Sequence, residues 1–521
     1  MSMAAEGGGI FFCSASMHIP SGKKRKRLFN ILGVTVVSLW LVMIGLLVKK
    51  LHFKGGGTAV ASKHVAGTID SPQRDWKEIY LKDKKVGYTV SLIKPFDDGY
   101  LVQEEVFLRL NLMGLASGVY TATQCQVDDN FLLKSFHFTM SSGVVRFNLT
   151  GNVEGDELVL QSARGKAKRT QRIKLSTPPM MASCMGYFLS SRKIKVGEEF
   201  KVPIFDPSTT AQKEAVVKVV AREPITINTI KYNAYRLETE MWGKVLTSWV
   251  DESGITLKEK GFMGFTIVKS SPAAAPLNMD DEKGEVDFYE AASISVEKRL
   301  PEPSRVNYLK LQVDGLSRDS LDLGVLDGGR QRFHDGTLEI FREILPPHAR
   351  YTIPYPGQGA AMEPFLKSEF NIESDEKEII EKARAIAASE RNPLKVSKRL
   401  STWVYHHLEK RPVVSVPSAL EVLKTGVGDC NEHATLLTAL LRASGIPARL
   451  SIGLVYTRGK FFYHAWTEAY VGEWVSMDPT LNQMPVDATH VKLVEGNLER
   501  QVEIAGLIGK LKLKVLDYRY D

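Results

Sequence analysis

A cysteine, a histidine and an aspartate occur in that order between Gly426 and Asp478, each at a defined place in a secondary-structure element. Asp429 is a good N-cap residue, and Glu432, three positions on, can close a capping box. Cys430 is then the first residue of a helix carried by Leu436, Leu437, Leu440 and Leu441 and ended by Gly445 and Pro447. A thiol there meets unpaired backbone N–H groups and the positive end of the helix dipole, which should favour its ionised form. The same N–H groups are suited to an oxyanion. A period of two along Phe462–Tyr470 puts His464, Trp466, Glu468 and Tyr470 on one face, so His464 is expected to meet Cys430 across a helix–sheet interface. Asp478 follows a Gly472-Glu473 turn, where it can accept the second imidazole proton.

Taken singly, a buried cysteine is usually a small core residue and a strand histidine is usually satisfied by hydrogen bonds. In combination they form the parts of an acyl-transfer site: Cys430 as nucleophile, His464 as general base and then acid, Asp478 as the group that orients His464. The runs G-D-C-x-E-x-A, H-A-W-x-E and W-x-x-M-D-P-T resemble the core of the transglutaminase-like superfamily, whose Cys, His and Asp fall on Cys430, His464 and Asp478. The resemblance covers the last third of the chain. The following L-N-Q-M-P-V-D-A-T-H-V-K-L is similar to bacterial membrane-linked members. That family includes crosslinking transglutaminases, proteases and amidases, so the resemblance implies thioester chemistry on amide acyl groups and leaves the acceptor open. It also implies an α+β, papain-like C-terminal core. Around the three residues, Glu432 reads as the capping partner, His433 as a packing or solvent residue and Trp466 as a wall of the cleft. His490 has no assigned partner and reads as structural.

The remainder of the 521 residues is enough for two or three domains. Residues 1–27 read as a cytoplasmic basic tail ending in Lys23-Lys24-Arg25-Lys26-Arg27, with Met17 an alternative start. Residues 28–48 are an uncharged apolar run long enough to cross a bilayer, a signal anchor rather than a removed signal peptide. Residues 49–68 are a linker. This makes the chain a single-pass inner-membrane protein with its larger part facing the periplasm or cell exterior. Residues 69–269 alternate apolar and polar over short runs punctuated by turns such as Asp97-Asp98-Gly99, the pattern of an antiparallel β domain, either sandwich or half-barrel. A helical interlude near Met180–Leu189 is placed to plug or cap it. Residues 270–300 are a linker by composition, 301–352 a small β unit, and 353–521 the catalytic domain, with Ser374 as the cap of its first helix. The Asp280-Asp281-Glu282 cluster reads as a solvated turn, since its spacing is wrong for calcium.

Much of the net charge of +8 sits beside the apolar run, which explains it without nucleic acid. No zinc-type spacing or phosphate loop is present, so no metal or cofactor is expected. Four cysteines are too few for a disulfide scaffold; Cys13 precedes the apolar run, and Cys125 and Cys184 could pair in an oxidising compartment, although spacing does not decide it. The expected partner is a protein or peptide substrate. The sequence thus predicts a membrane-anchored cysteine protease or amidase, favoured over a crosslinking transglutaminase because water needs no second substrate pocket. The alternative is an inactive core retained as an envelope scaffold or binding module.

Overall fold

The computed structural model describes residues 69–521 except 144, 165–166, 242, 262–263, 278, 280–285, 317–322, 358–360, 417, 497–503 and 505. The basic tail, apolar run, linker, Met17, Cys13 and the Asp280–Glu282 cluster lie outside the described residues. Among the described residues no helix is long and apolar enough to cross a membrane.

Fifteen strands between Gln73 and Ser270 form one sheet. Eight of them, from Gln73–Leu81 to Ala167–Lys174, pair antiparallel with their chain neighbours, as do the six from Glu199–Asp206 to Phe265–Ser270. The two arms meet where Gln73–Leu81 pairs with Phe265–Ser270, Ile79 opposite Ile267. A short Met180–Met181 strand adds parallel to Glu199–Asp206. So long a meander must curl, because strand twist accumulates and the apolar row on one face of strands such as Val145–Glu154 has to be buried. It does: Phe136 of one arm meets Phe205 of the other at a ring separation of 5.4 Å. The helix Met185–Ser191 buries Tyr187, Phe188 and Leu189 in the same core, which is the plug expected from the sequence.

Cys125 and Cys184 are buried free thiols within this core, their sulfurs 3.9 Å apart. Enclosure among aromatic and aliphatic side chains keeps reagents away from both, whereas Cys430 is only half-buried. Excess water-soluble maleimide should therefore modify Cys430 slowly in the folded protein, since its thiol is partly exposed but held protonated by burial, with Cys125 and Cys184 modified only after denaturation. Peptide mass mapping before and after urea checks this, and native labelling of Cys125 would contradict the core described here.

The C-terminal part is helix on sheet. Helices Lys377–Ala387, Pro393–His407, Ala419–Thr425 and Cys430–Ala443 pack with a sheet ordered Ile294–Ser295, Lys460–Tyr470, Ala448–Thr457, Val491–Gly496, to which Trp474–Met477 adds along Lys460–Tyr470. Asn392 caps the second of these helices and Ser418 the third. Ser374 does not cap the first: the chain turns into the helix at Glu376, which makes no side-chain cap bond, and Ser374 is buried instead. A further sheet of Gln331–His334, Thr337–Phe341, Val306–Asp314 and Lys512–Tyr520 shares its apolar core with these helices, Leu309 and Leu311 lying in one cluster with Leu437 and Leu440. The segment before the cysteine helix also holds the β region: Val416 lies in the core of the curled sheet and Val414 packs on a second apolar cluster there.

Candidate active site

The cysteine helix begins as its sequence dictates. Asp429 is extended at φ −99°, its side chain accepts from the Asn431 N–H at 2.9 Å, and Glu432 Oε2 accepts from the Asp429 N–H at 2.8 Å. Gly428 is required, since a Cβ there would lie 2.2 Å from Glu432 Cβ. Ser415 donates to the other oxygen of Glu432 and the Tyr289 hydroxyl to Asp429 Oδ2 at 2.6 Å. At the far end Gly445, at φ +74°, closes the helix, with the Ile446 N–H on the Leu441 carbonyl.

The helix lies on the face of the Lys460–Tyr470 strand that carries Thr467, whose hydroxyl meets Thr438 Oγ1 at 3.2 Å and the Ala434 carbonyl at 3.1 Å. His464, Trp466 and Glu468 alternate away from that face, so Cys430 and His464 do not meet across the helix–sheet interface as expected. Ile294–Ser295 covers the outer side of this strand at Phe461, and Trp474–Met477 covers it from Thr467 onward. Between the two no strand pairs with this edge, and the Ala465 N–H, one residue from His464, lies close enough to the Cys430 sulfur to favour its ionised form.

His464 and Asp478 are brought together directly: His464 Nε2 donates to Asp478 Oδ2 at 2.7 Å. That bond fixes the tautomer with the lone pair on Nδ1. Among the described residues no hydrogen bond joins the sulfur to this ring. Asp478 is fully buried, and its Oδ1 accepts from the N–H groups of Thr480 at 2.7 Å and Leu481 at 3.1 Å. Burial opposes its charge, but His464 and His490 outweigh burial and hold the carboxyl well below the usual range.

The thiol does not have the environment expected from its helix position. Burial first, then the Asp429, Glu432 and Asp478 carboxyls, push it well above the ordinary cysteine value, and only the Ala465 N–H pulls the other way. The capping residues that start the helix are themselves acidic, and a half-exposed dipole end is weaker than neighbouring charge in a desolvated site. Burial and Asp429 likewise push Glu432 up.

Two further residues, His490 and Tyr289, belong to the site and were not legible as such, and Trp466 takes a different place from the one expected. His490, read as structural, donates to Asp478 Oδ2 at 3.1 Å and to Asp487 Oδ1 at 3.2 Å. Burial opposes its charge, but Asp487 and Asp478 push it up to about 9. Tyr289 comes from a helix, Phe288–Ala292, inside the stretch read as a linker. Trp466 is fully buried beneath the imidazoles, 5.4 Å from His490, rather than lining an open cleft. His433 is buried too, its Nδ1 donating to the Asp429 carbonyl at 2.7 Å. The nitrogens of His464 and His490 and an Asp478 oxygen lie within 4.8 Å of one another, close enough to suit a metal ion. In this structure both nitrogens lie within hydrogen-bond distance of the same carboxylate oxygen.

The site thus places a cysteine at a helix N-terminus near a strand histidine that is hydrogen-bonded to a buried aspartate. The chain carries a domain of the transglutaminase-like superfamily, whose model matches residues 380–479. No curated protein matches the chain. Among solved structures, a provisionally named cysteine protease from Cytophaga hutchinsonii is similar at 17% identity over 42% of this chain and 88% of that one, with a TM-score of 0.27. The periplasmic domain of TgpA from Pseudomonas aeruginosa is similar at 17% identity over 36% of this chain and 89% of that one, TM-score 0.23. A β-barrel-like protein of unknown function from Brucella abortus is similar at 12% identity over 39% of this chain and 95% of that one, TM-score 0.30.

Proposed function

We propose that the protein is a membrane-anchored, envelope-facing cysteine enzyme that cleaves amide bonds of proteins or peptides through a thioester on Cys430. The observation that carries the reading is the 2.7 Å His464–Asp478 bond beside the strand edge where the Cys430 sulfur lies. His464 Nδ1 takes the thiol proton as the sulfur adds to the substrate carbonyl, then passes it to the leaving amine. Water, deprotonated by the same ring, adds to the thioester, and the thiolate leaves and is reprotonated. Burial and the neighbouring carboxyls push the thiol up, which favours proton transfer to His464 in step with attack. Asp429 takes the Asn431 and Glu432 N–H groups, so the remaining first-turn donor, the Cys430 N–H, is the one offered to the oxyanion. An amine in place of water would make the same site a transglutaminase; hydrolysis is favoured because it needs no second pocket.

The inactive-scaffold reading draws on one observation, the three carboxyls that disfavour the thiolate. An acyl-trapping probe such as a peptidyl acyloxymethyl ketone separates the two. The wild type should be modified at Cys430, and Cys430→Ala should not be modified at all. Absence of modification in the wild type, with the protein folded, would leave only the scaffold.

A further inference from the structure

We propose that His490 is a positioning residue for the cysteine site: backed by Asp487, it locks the Asp478 carboxylate in the orientation that presents Oδ2 to His464. The inference rests on the assignment of Cys430, His464 and Asp478 made above. With His464 as its one imidazole partner, the carboxylate plane could tilt about the Cβ–Cγ bond and carry Oδ2 out of line with Nε2. Here Oδ2 accepts from two imidazoles, His464 at 2.7 Å and His490 at 3.1 Å, whose rings are 5.8 Å apart and inclined at 65°. Rotation would break both bonds together with those from Thr480 and Leu481 to Oδ1.

His490 is itself fixed. Its two nitrogens face two different carboxylates, so both carry protons and the ring is cationic. Asp487 Oδ1 also accepts from the Thr489 N–H at 2.8 Å and hydroxyl at 2.6 Å, and its Oδ2 from Gln483 Nε2 at 2.8 Å. Gln483 in turn bridges to Asp478 through backbone bonds of 2.9 and 3.1 Å. The loop from Asp478 to His490 therefore closes on itself around the imidazolium. Two carboxylates buried this deep would otherwise repel, and one of them would take up a proton. The cation between them keeps Asp478 ionised for His464. The groups facing His490 are Asp478, Asp487 and His464, with Trp466 edge-on at 5.4 Å and Arg330 reaching the Asp487 carbonyl behind.

The test is the pH dependence of Cys430 alkylation by iodoacetamide in the full chain, followed on the Cys430 peptide, for wild type, His490→Gln, His490→Phe and His464→Ala. Gln retains a donor to Asp478 but no charge, whereas Phe retains the ring volume and neither. Gln is expected to move the alkylation midpoint up by about one pH unit and slow labelling near neutrality about tenfold, since the positive charge is gone. Phe should be slower again. A residue serving only to pack would give the reverse order, with Phe equal to or better than Gln, and that order overturns the inference. So does a wild-type profile for Gln, which decides alone if Phe does not fold. Wild-type labelling no faster than His464→Ala is a different result, and it removes the catalytic assignment itself.

Discussion

Asp478→Asn is expected to slow acylation of Cys430 by about three to four orders of magnitude, the scale set by loss of the orienting carboxylate in hydrolytic triads. The Asp478 carboxylate accepts four hydrogen bonds: two from imidazoles on Oδ2 and two from backbone N–H groups on Oδ1. An asparagine has one oxygen for these two pairs of donors. If its NH₂ faces the imidazoles, His464 must turn its Nε2 lone pair toward it and carry its proton on Nδ1, the nitrogen needed as base. If the NH₂ faces Thr480 and Leu481 instead, two buried N–H groups lose their acceptor. The first arrangement loses activity with the fold retained, and the second loses stability. Burst-phase acylation with a chromogenic ester, read alongside a denaturant melt, separates them. Unchanged acylation in a stable Asp478→Asn protein would remove Asp478 from the mechanism.

The second large effect is on stability. Glu468, on the same strand as His464, is 3% exposed and bonds Arg449 Nε at 2.8 Å and Lys492 Nζ at 2.9 Å. Glu495 accepts from the same two cations at 2.7 and 3.1 Å, and the Arg449 guanidinium lies 4.2 Å from the Trp474 ring. Glu468→Ala leaves Lys492, itself 5% exposed, with half its counter-charge, and should cost about 3–5 kcal/mol. Urea denaturation checks this; a loss under about 1 kcal/mol would mean that the network relaxes around the gap. The same residue gives an acid limb. Burial raises its pKa, but Lys492 and Arg449 outweigh burial and bring it from 4.5 to about 2. A carboxylate with a depressed folded pKa contributes stability that is fully present above its unfolded value and is lost as pH falls through the folded one. Glu468 should therefore contribute a decline between pH 4.5 and about 2 that Glu468→Gln lacks.

The local signals of the cysteine helix were legible because each is satisfied within a few residues. Asp429 and Glu432 form the capping box, and Gly445 takes the left-handed turn that ends the helix. The antiparallel character of the β region was legible for the same reason: alternation along each strand and the turn residues between strands require no knowledge of partners. What failed depends on distant groups. Ser374 is a good cap in isolation, yet the helix it should start begins at Glu376. Helix position favours a Cys430 thiolate, but burial and three carboxyls gathered by the fold reverse the sign. Alternation placed His464 on a face with Trp466 and Glu468, and only the pairing of neighbouring strands shows that the helix lies on the other face, with Cys430 near Ala465 where no strand pairs with the edge. His490 carries no signal by itself; its partners are Asp478, twelve residues back, and Asp487, which a loop must fold to bring together.

The sheet that pairs Val306–Asp314 with Lys512–Tyr520 sets an order on assembly. Val306–Asp314 leaves the ribosome before every helix of the catalytic core, yet one of its long edges stays unzipped until the chain has been made as far as Tyr520. Leu309 and Leu311, which end up fully enclosed, are exposed to solvent or to a chaperone for that interval. A fragment cut to start at residue 353 would carry Lys512–Tyr520 as an orphaned, sticky ribbon, so the smallest unit expected to behave as a monomer must begin upstream of Val306.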